Sequence, residues 1–168
     1  MTTVIYPGSF DPITNGHLDV ALRAARIFDR VIIGVYETPE KKLMFNLNER
    51  VEMARQAVAG VPNIEVRSFS GLTVDFARSV GAAAMVRGLR VSADFEFEFD
   101  MAMMTKKLAP DLELICFMAS PQYQFLSSSL LKEVARLGGR VDDWVPPSVA
   151  QAVKKKAGEG KTQSDTRK

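Results

Sequence analysis

Short apolar runs rich in β-branched residues alternate along this chain with stretches whose apolar positions recur at helical spacing. Residues 3–6, 30–36, 64–69, 83–86 and 112–119 read as strands, "RVIIGVY" being the clearest. Between the first two, residues 16–28 place Leu18, Leu22, Ala25 and Phe28 on one helical face. Asn46-Leu47-Asn48-Glu49 has the form of a capping box, with Asn in place of Ser or Thr, ahead of the helix "ERVEMARQAVAG". Residues 73–80 predict a short helix stopped at Gly81, and residues 127–137 a helix closed by Gly138 and Gly139. Residues 147–156 predict a last short helix, followed by a polar, disordered tail at 158–168.

One stretch carries conflicting signals. "DFEFEFDMAMM" alternates Phe95, Phe97 and Phe99 with Glu96, Glu98 and Asp100, the period of a strand. It runs on into "MAMMTKKLAP", whose length and propensity favour helix. As a helix it carries Phe95, Phe99, Ala102 and Met103 on one face and Phe97, Met101 and Met104 on the next. Such a helix is expected to be mostly buried, in part against another subunit.

Strands alternating with helices imply an α/β domain, residues 1–157, built on an open five-stranded parallel sheet with helices on both faces. Ligands of such sheets bind past the carboxyl ends of the strands, where the strand order reverses. The loops at 7–16, 37–46, 70–72, 87–92 and 120–127 are therefore the ones to search.

Composition narrows the picture little. Hydrophobic content is 46% and charged content 25%, ordinary for a globular protein. Net charge is +2, yet the stretch from Lys154 onward holds six basic residues against Glu159 and Asp165, leaving the rest near −2. Bulk charge thus argues against a nucleic-acid partner. No stretch is long enough to span a membrane, and "MTTVIYPG" lacks the features of a signal peptide, so the expected location is cytoplasmic. Cys116, the sole cysteine, lies in "LELICFMA" and is expected to be a buried strand residue.

The chemistry concentrates in the first loop, "GSFDPITNGH". It is neither G-x-G-x-x-G nor a G-x-x-x-x-G-K-[ST] phosphate loop. Gly8, Pro12, Asn15 and Gly16 suit tight backbone geometry, and His17, the only histidine, opens the following helix. A helix start favours anions and disfavours an imidazolium, so His17 reads as a neutral donor aimed at phosphate. The plainer reading is a histidine that caps or packs the helix start.

Thr14-Asn15-Gly16-His17 resembles the (T/H)-x-G-H signature of the nucleotidyltransferase superfamily. "FLSSSLLKEVA" is similar to its second, serine-rich signature, with Lys132 where the wider superfamily has Arg. With "RGLRVSADFEFE" between them, the chain resembles the bacterial phosphopantetheine adenylyltransferases over about residues 3–147. The resemblance implies a Rossmann-like fold of nucleotidyltransferase type and a reaction of ATP with 4′-phosphopantetheine that yields dephospho-coenzyme A and pyrophosphate. It implies no general base, because a phosphate monoester is largely dianionic at neutral pH.

On that resemblance, His17 stabilises charge at the reacting phosphorus. ATP is held by Ser9, Phe10, His17, Gly88, Leu89, Arg90, Glu98 and the stretch Tyr123, Gln124, Phe125, Leu126, Ser127, Ser128 and Ser129. Ser9, Lys41, Thr73 and Arg87 hold 4′-phosphopantetheine, with Arg87 ending the fourth strand and Gly88, Leu89 and Arg90 in the loop after it. Lys132 would set a cation over the same anion, a role its lost bidentate geometry leaves open. Magnesium is expected with the triphosphate, and no side chain, Asp11 included, is assigned as its ligand. The resemblance also implies a homohexamer and coenzyme A as feedback inhibitor. Two alternatives stay open: a related adenylyl- or cytidylyltransferase for another phosphorylated acceptor such as nicotinamide mononucleotide, and a nucleotide-sensing module without turnover.

Overall fold

The computed structural model describes residues 1–39 and 42–165, with side chains through residue 158. Five parallel strands form one sheet: β1 (Thr3–Gly8), β2 (Arg30–Tyr36), β3 (Ile64–Phe69), β4 (Ala84–Leu89) and β5 (Glu113–Met118). Their order is β3-β2-β1-β4-β5, so the chain winds outward from β1 in both directions. Six α-helices connect and flank them: α1 (Asn15–Ala25), α2 (Leu47–Val58), α3 (Thr73–Ser79), α4 (Ser92–Leu108), α5 (Ser128–Arg136) and α6 (Pro147–Asp165).

Strand alternation sorts the core onto two faces. Val4, Tyr6, Val31, Ile33 and Val35 pack with α1, α2, α5 and α6, whereas Ile5, Ile32 and Met85 meet Val74, Phe76 and Ala77 of α3 on the other side. The expected architecture is therefore present. The capping box at α2 is formed as expected: Asn46 accepts from the Glu49 amide at 3.0 Å, and Glu49 accepts from the Asn46 amide at 2.8 Å. Gly138, at φ +87°, closes α5.

Several boundaries and faces differ from expectation. β4 extends to Leu89 because β5 keeps pairing with it as far as Met118, so Arg87, Gly88 and Leu89 lie inside the strand. On α1 the buried residues are Val20, Ala21 and Ala24, and Leu22 is exposed. Cys116 sits in a strand as expected but is exposed, because β5 is an edge strand. The last helix continues past Lys156 to Asp165, where a disordered tail was expected. Extending a formed helix fixes one residue per hydrogen bond gained, so a polar stretch without proline can follow it.

The ambiguous stretch is helical, but its burial is inverted. Glu98 and Thr105 are its buried residues, while Phe95, Phe97, Phe99, Met101, Met103 and Met104 are exposed.

β1 and β4 pair only at Val4↔Ala84 and Ile5↔Met85. Both strands continue past this point, β1 to Gly8 and β4 to Leu89, so they part toward their carboxyl ends. This is the reversal point of the strand order, where an open parallel sheet offers a crevice.

Candidate active site

The crevice begins with the loop after β1. Phe10 has a left-handed backbone, φ +45°, which costs a non-glycine residue about 1–2 kcal/mol. Burial compensates: Phe10 is buried and packs edge-on to Tyr6 at 5.5 Å and to His17 at 5.1 Å. Gly8 makes room for it, since a Cβ there would stand 3.0 Å from the Phe10 ring. Burial pushes the Tyr6 hydroxyl far above its ordinary pKa, and Arg87 partly opposes the shift.

Asp11 anchors the loop from below. Its carboxylate accepts from the Met44 amide at 3.0 Å, from the Phe45 amide at 2.9 Å, and from Lys132 Nζ at 2.5 Å. Asp11 and Lys132 are both buried. Lys132 thus joins α5 to the loop.

Thr14 is the N-cap of α1 and His17 its third residue. Thr14 Oγ1 accepts from the His17 amide, and the Thr14 amide donates to His17 Nδ1 at 3.0 Å. Capping and donor readings of His17 are therefore compatible. A neutral ring that accepts at Nδ1 carries its proton on Nε2, the nitrogen turned away from the cap. The cap also fixes the ring's orientation.

The second signature lies against the first. Ser127 caps α5 by accepting from the Leu130 amide, and Ser128 donates to the Pro12 carbonyl at 2.9 Å. Ser129 is exposed. A Cβ on Gly16 would lie 3.5 Å from Tyr123 Cβ and 3.8 Å from a Leu126 methyl. The starts of α1 and α5 therefore border one space, and each turns the positive end of a helix dipole toward it.

Two arginines complete the rim. Arg87 donates to the Pro7 carbonyl at 2.9 Å and pairs with Glu98 at 2.7 Å. Arg90 pairs with Asp94 at 3.2 Å and donates to the Leu126 carbonyl at 3.2 Å. Both guanidiniums are partly exposed, so each is held by one carboxylate and remains accessible.

The sequence-predicted residues fall into two groups. Ser9, Phe10, His17, Arg87, Arg90, Leu126, Ser127 and Ser128 converge on the crevice. Gly88 lies beneath α1, where a Cβ would meet Val20 at 3.2 Å. The Leu89 side chain is buried and its carbonyl accepts from the Ala119 amide. Glu98 is buried against Arg87 and faces inward. Gln124 and Phe125 are exposed, with Phe125 edge-on to Trp144 at 5.7 Å. Thr73 opens α3, after β3. Lys41 lies outside the described residues.

Two contributors had no place in the sequence reading. Asp19 accepts from Ser120 Oγ at 2.9 Å and so fixes the start of the 120–127 loop. Arg50 is wholly buried on α2 beneath the first loop. Its spacing from Met53 and Ala54 puts a cation in the apolar register of the helix, a signal open to inspection in the sequence.

Among the described residues no group of three or more His, Cys, Asp or Glu side chains could hold a metal. Asp11, Asp19, Asp94 and Glu98 are each engaged by cations or N–H groups.

The cytidylyltransferase-like family model matches residues 5–134. The chain is 53% identical to the phosphopantetheine adenylyltransferase of Heliobacterium modesticaldum over 95% of each chain. It is 54% identical to that of Thermomicrobium roseum, over 90% of this chain and 93% of the other. A bifunctional NMN adenylyltransferase/ADP ribose pyrophosphatase from Francisella tularensis superposes with a TM-score of 0.68 at 17% identity, over 92% of this chain and 49% of that one. That last likeness establishes the fold alone. By both the family model and the identity to its relatives, this chain belongs to the cytidylyltransferase-like family and, within it, to the phosphopantetheine adenylyltransferases.

Proposed function

We propose that the chain transfers the adenylyl group of ATP to 4′-phosphopantetheine, forming dephospho-coenzyme A and pyrophosphate. The observation that carries this reading is the meeting of the His17 loop, the α5 start, Arg87 and Arg90 at the carboxyl end of the sheet. Cations and donors are gathered there, and each carboxylate near them is already occupied. Two polyanions can be held together in such a place.

An acceptor phosphate oxygen attacks the α-phosphorus of ATP, and the bond to the bridging oxygen breaks as pyrophosphate leaves. The acceptor is largely a dianion at neutral pH and needs no base. Positioning and charge neutralisation supply the rate, with orientation worth about 7–11 kcal/mol. His17 Nε2–H donates to the phosphoryl oxygen that gains charge, Arg90 and the α5 start hold ATP phosphates, and Arg87 with Lys41 grips the acceptor phosphate. ATP enters as its magnesium complex.

Pyrophosphate release measured with a panel of phosphorylated acceptors tests this. Turnover dependent on 4′-phosphopantetheine is expected. Turnover with nicotinamide mononucleotide in its place would shift the acceptor assignment, and ATP binding without turnover on any acceptor would favour a sensor. Coenzyme A carries the same pantetheine arm and is proposed to compete for the acceptor site as a feedback inhibitor.

No described helix is long and apolar enough to cross a membrane, and the proposed location is the cytoplasm. The exposed Phe and Met side chains of α4 form a patch of the kind that marks protein contacts, consistent with a homohexamer. Phe97→Asp with Met104→Asp is expected to lower the mass seen by light scattering to that of a smaller species. An unchanged mass would rule α4 out as the contact.

A further inference from the structure

Arg50 has no place in the chemistry above, yet it is 0% exposed, which is rare for an arginine that pairs with no carboxylate among the described residues. It sits on the buried face of α2 with Val51, Met53, Ala54 and Val58. Nη1 donates to the Ser9 carbonyl at 2.8 Å and to the Tyr36 carbonyl at 2.7 Å; Nη2 donates to the Glu37 carbonyl at 3.2 Å. Nε has no hydrogen-bond partner among the described residues. Among the described residues no carboxylate salt-bridges the guanidinium; Asp11 acts on it through its field, and Asp11 is itself bonded to Lys132. Burial pushes the guanidinium pKa down and the Asp11 charge partly restores it.

The three carbonyls lie on two different segments. Ser9 follows β1 and precedes the left-handed Phe10, whereas Tyr36 ends β2 and Glu37 begins the loop toward residue 46. β1 and β2 stop pairing at Gly8↔Val35, so no ladder hydrogen bond holds the loops together beyond that point. An apolar residue at position 50 would fill the space and leave these carbonyls unbridged. The planar fork of a guanidinium spans them, which a single ammonium does less well.

We propose that Arg50 is a positioning residue that fixes the separation between the loop carrying Ser9–His17 and the Tyr36–Glu37 segment at the end of β2, and so sets how the two substrates approach each other. This rests on the adenylyl-transfer reading, in which the first loop holds ATP and the loop after β2 the acceptor. Each loop keeps its own ligand contacts without Arg50; their relative placement is what is lost. The consequence falls on turnover, because a displacement of about 1 Å at the reacting atoms costs on the order of 10²-fold.

The test compares Arg50→Met and Arg50→Lys with the wild-type chain, scaling kcat to the number of ATP-binding sites found by calorimetry. Arg50→Met is expected to lower kcat per site about 10²-fold while the Kd of ATP and of 4′-phosphopantetheine, each measured alone, stays within about threefold. Arg50→Lys is expected to recover about tenfold of that loss. A loss that appears as weaker binding of one substrate, or an unchanged kcat per site, would overturn the proposal. If neither variant folds, hydrogen exchange on the wild-type chain decides. Segments 8–12 and 35–39 opening as one unit supports the bridge, and independent opening refutes it. Wild-type chain that binds ATP but never turns over would instead remove the reaction assignment, while exchange still decides whether the loops are coupled.

Discussion

His17→Ala is expected to lower kcat about 10²- to 10³-fold while changing ATP affinity less than about threefold. The asymmetry follows from where the donor acts. A hydrogen bond that strengthens as charge develops on the phosphoryl oxygens stabilises the transition state more than bound ATP. The cap contributes a second, smaller effect: alanine also removes the acceptor of the Thr14 amide, a bond of 3.0 Å. His17→Asn separates the two, because its side chain can accept from that amide without placing a donor where Nε2 stands. The asparagine variant is expected to restore helix stability and leave turnover low, as judged by melting temperature and pyrophosphate release. Equal losses in kcat and ATP affinity for the alanine variant would make His17 a ground-state anchor.

The strands and most helices were legible because their signals are local. Short apolar runs rich in β-branched residues specify β1, β2 and β3, and a capping box specifies the start of α2. Boundaries fixed by a distant partner were not legible. β4 runs on to Leu89 because β5 pairs with it, and no property of "RGL" announces that. The inverted burial of α4 has the same origin: Glu98 turns inward because Arg87, eleven residues earlier, is there to receive it. In the site, the loop and the serines were readable as motifs, and the contacts that join them were not. Ser128 reaches Pro12 across 116 residues, and Lys132 reaches Asp11 across 121. Sequence can nominate both members of such a pair but only packing makes them partners.

That partnership carries the second large effect. Lys132→Met is expected to destabilise the chain by about 3–5 kcal/mol, because it leaves the Asp11 carboxylate buried with an unmatched charge. For a chain of this size such a loss lowers Tm by roughly 6–20 °C at fixed protein concentration. Asp11→Asn is expected to cost a similar amount, since it leaves the ammonium buried and weakens the acceptor of the Met44 and Phe45 amides. If the two residues act as one unit, the double variant costs clearly less than the summed single losses, and the coupling in a double-mutant cycle measures the pair. The cycle also separates two roles for Lys132. A cation that gripped ATP phosphate would lower ATP affinity in Lys132→Met with Tm nearly unchanged, and Asp11→Asn would then leave that affinity intact. A cation that ties α5 to the first loop lowers Tm in both variants alike. Since Asp11 binds the Met44 and Phe45 amides as well, breaking the tie loosens three segments at once: the loop that orients His17, the approach to α2 and the start of α5. Stability and turnover are therefore expected to fall together in these variants, whereas His17→Asn separates them.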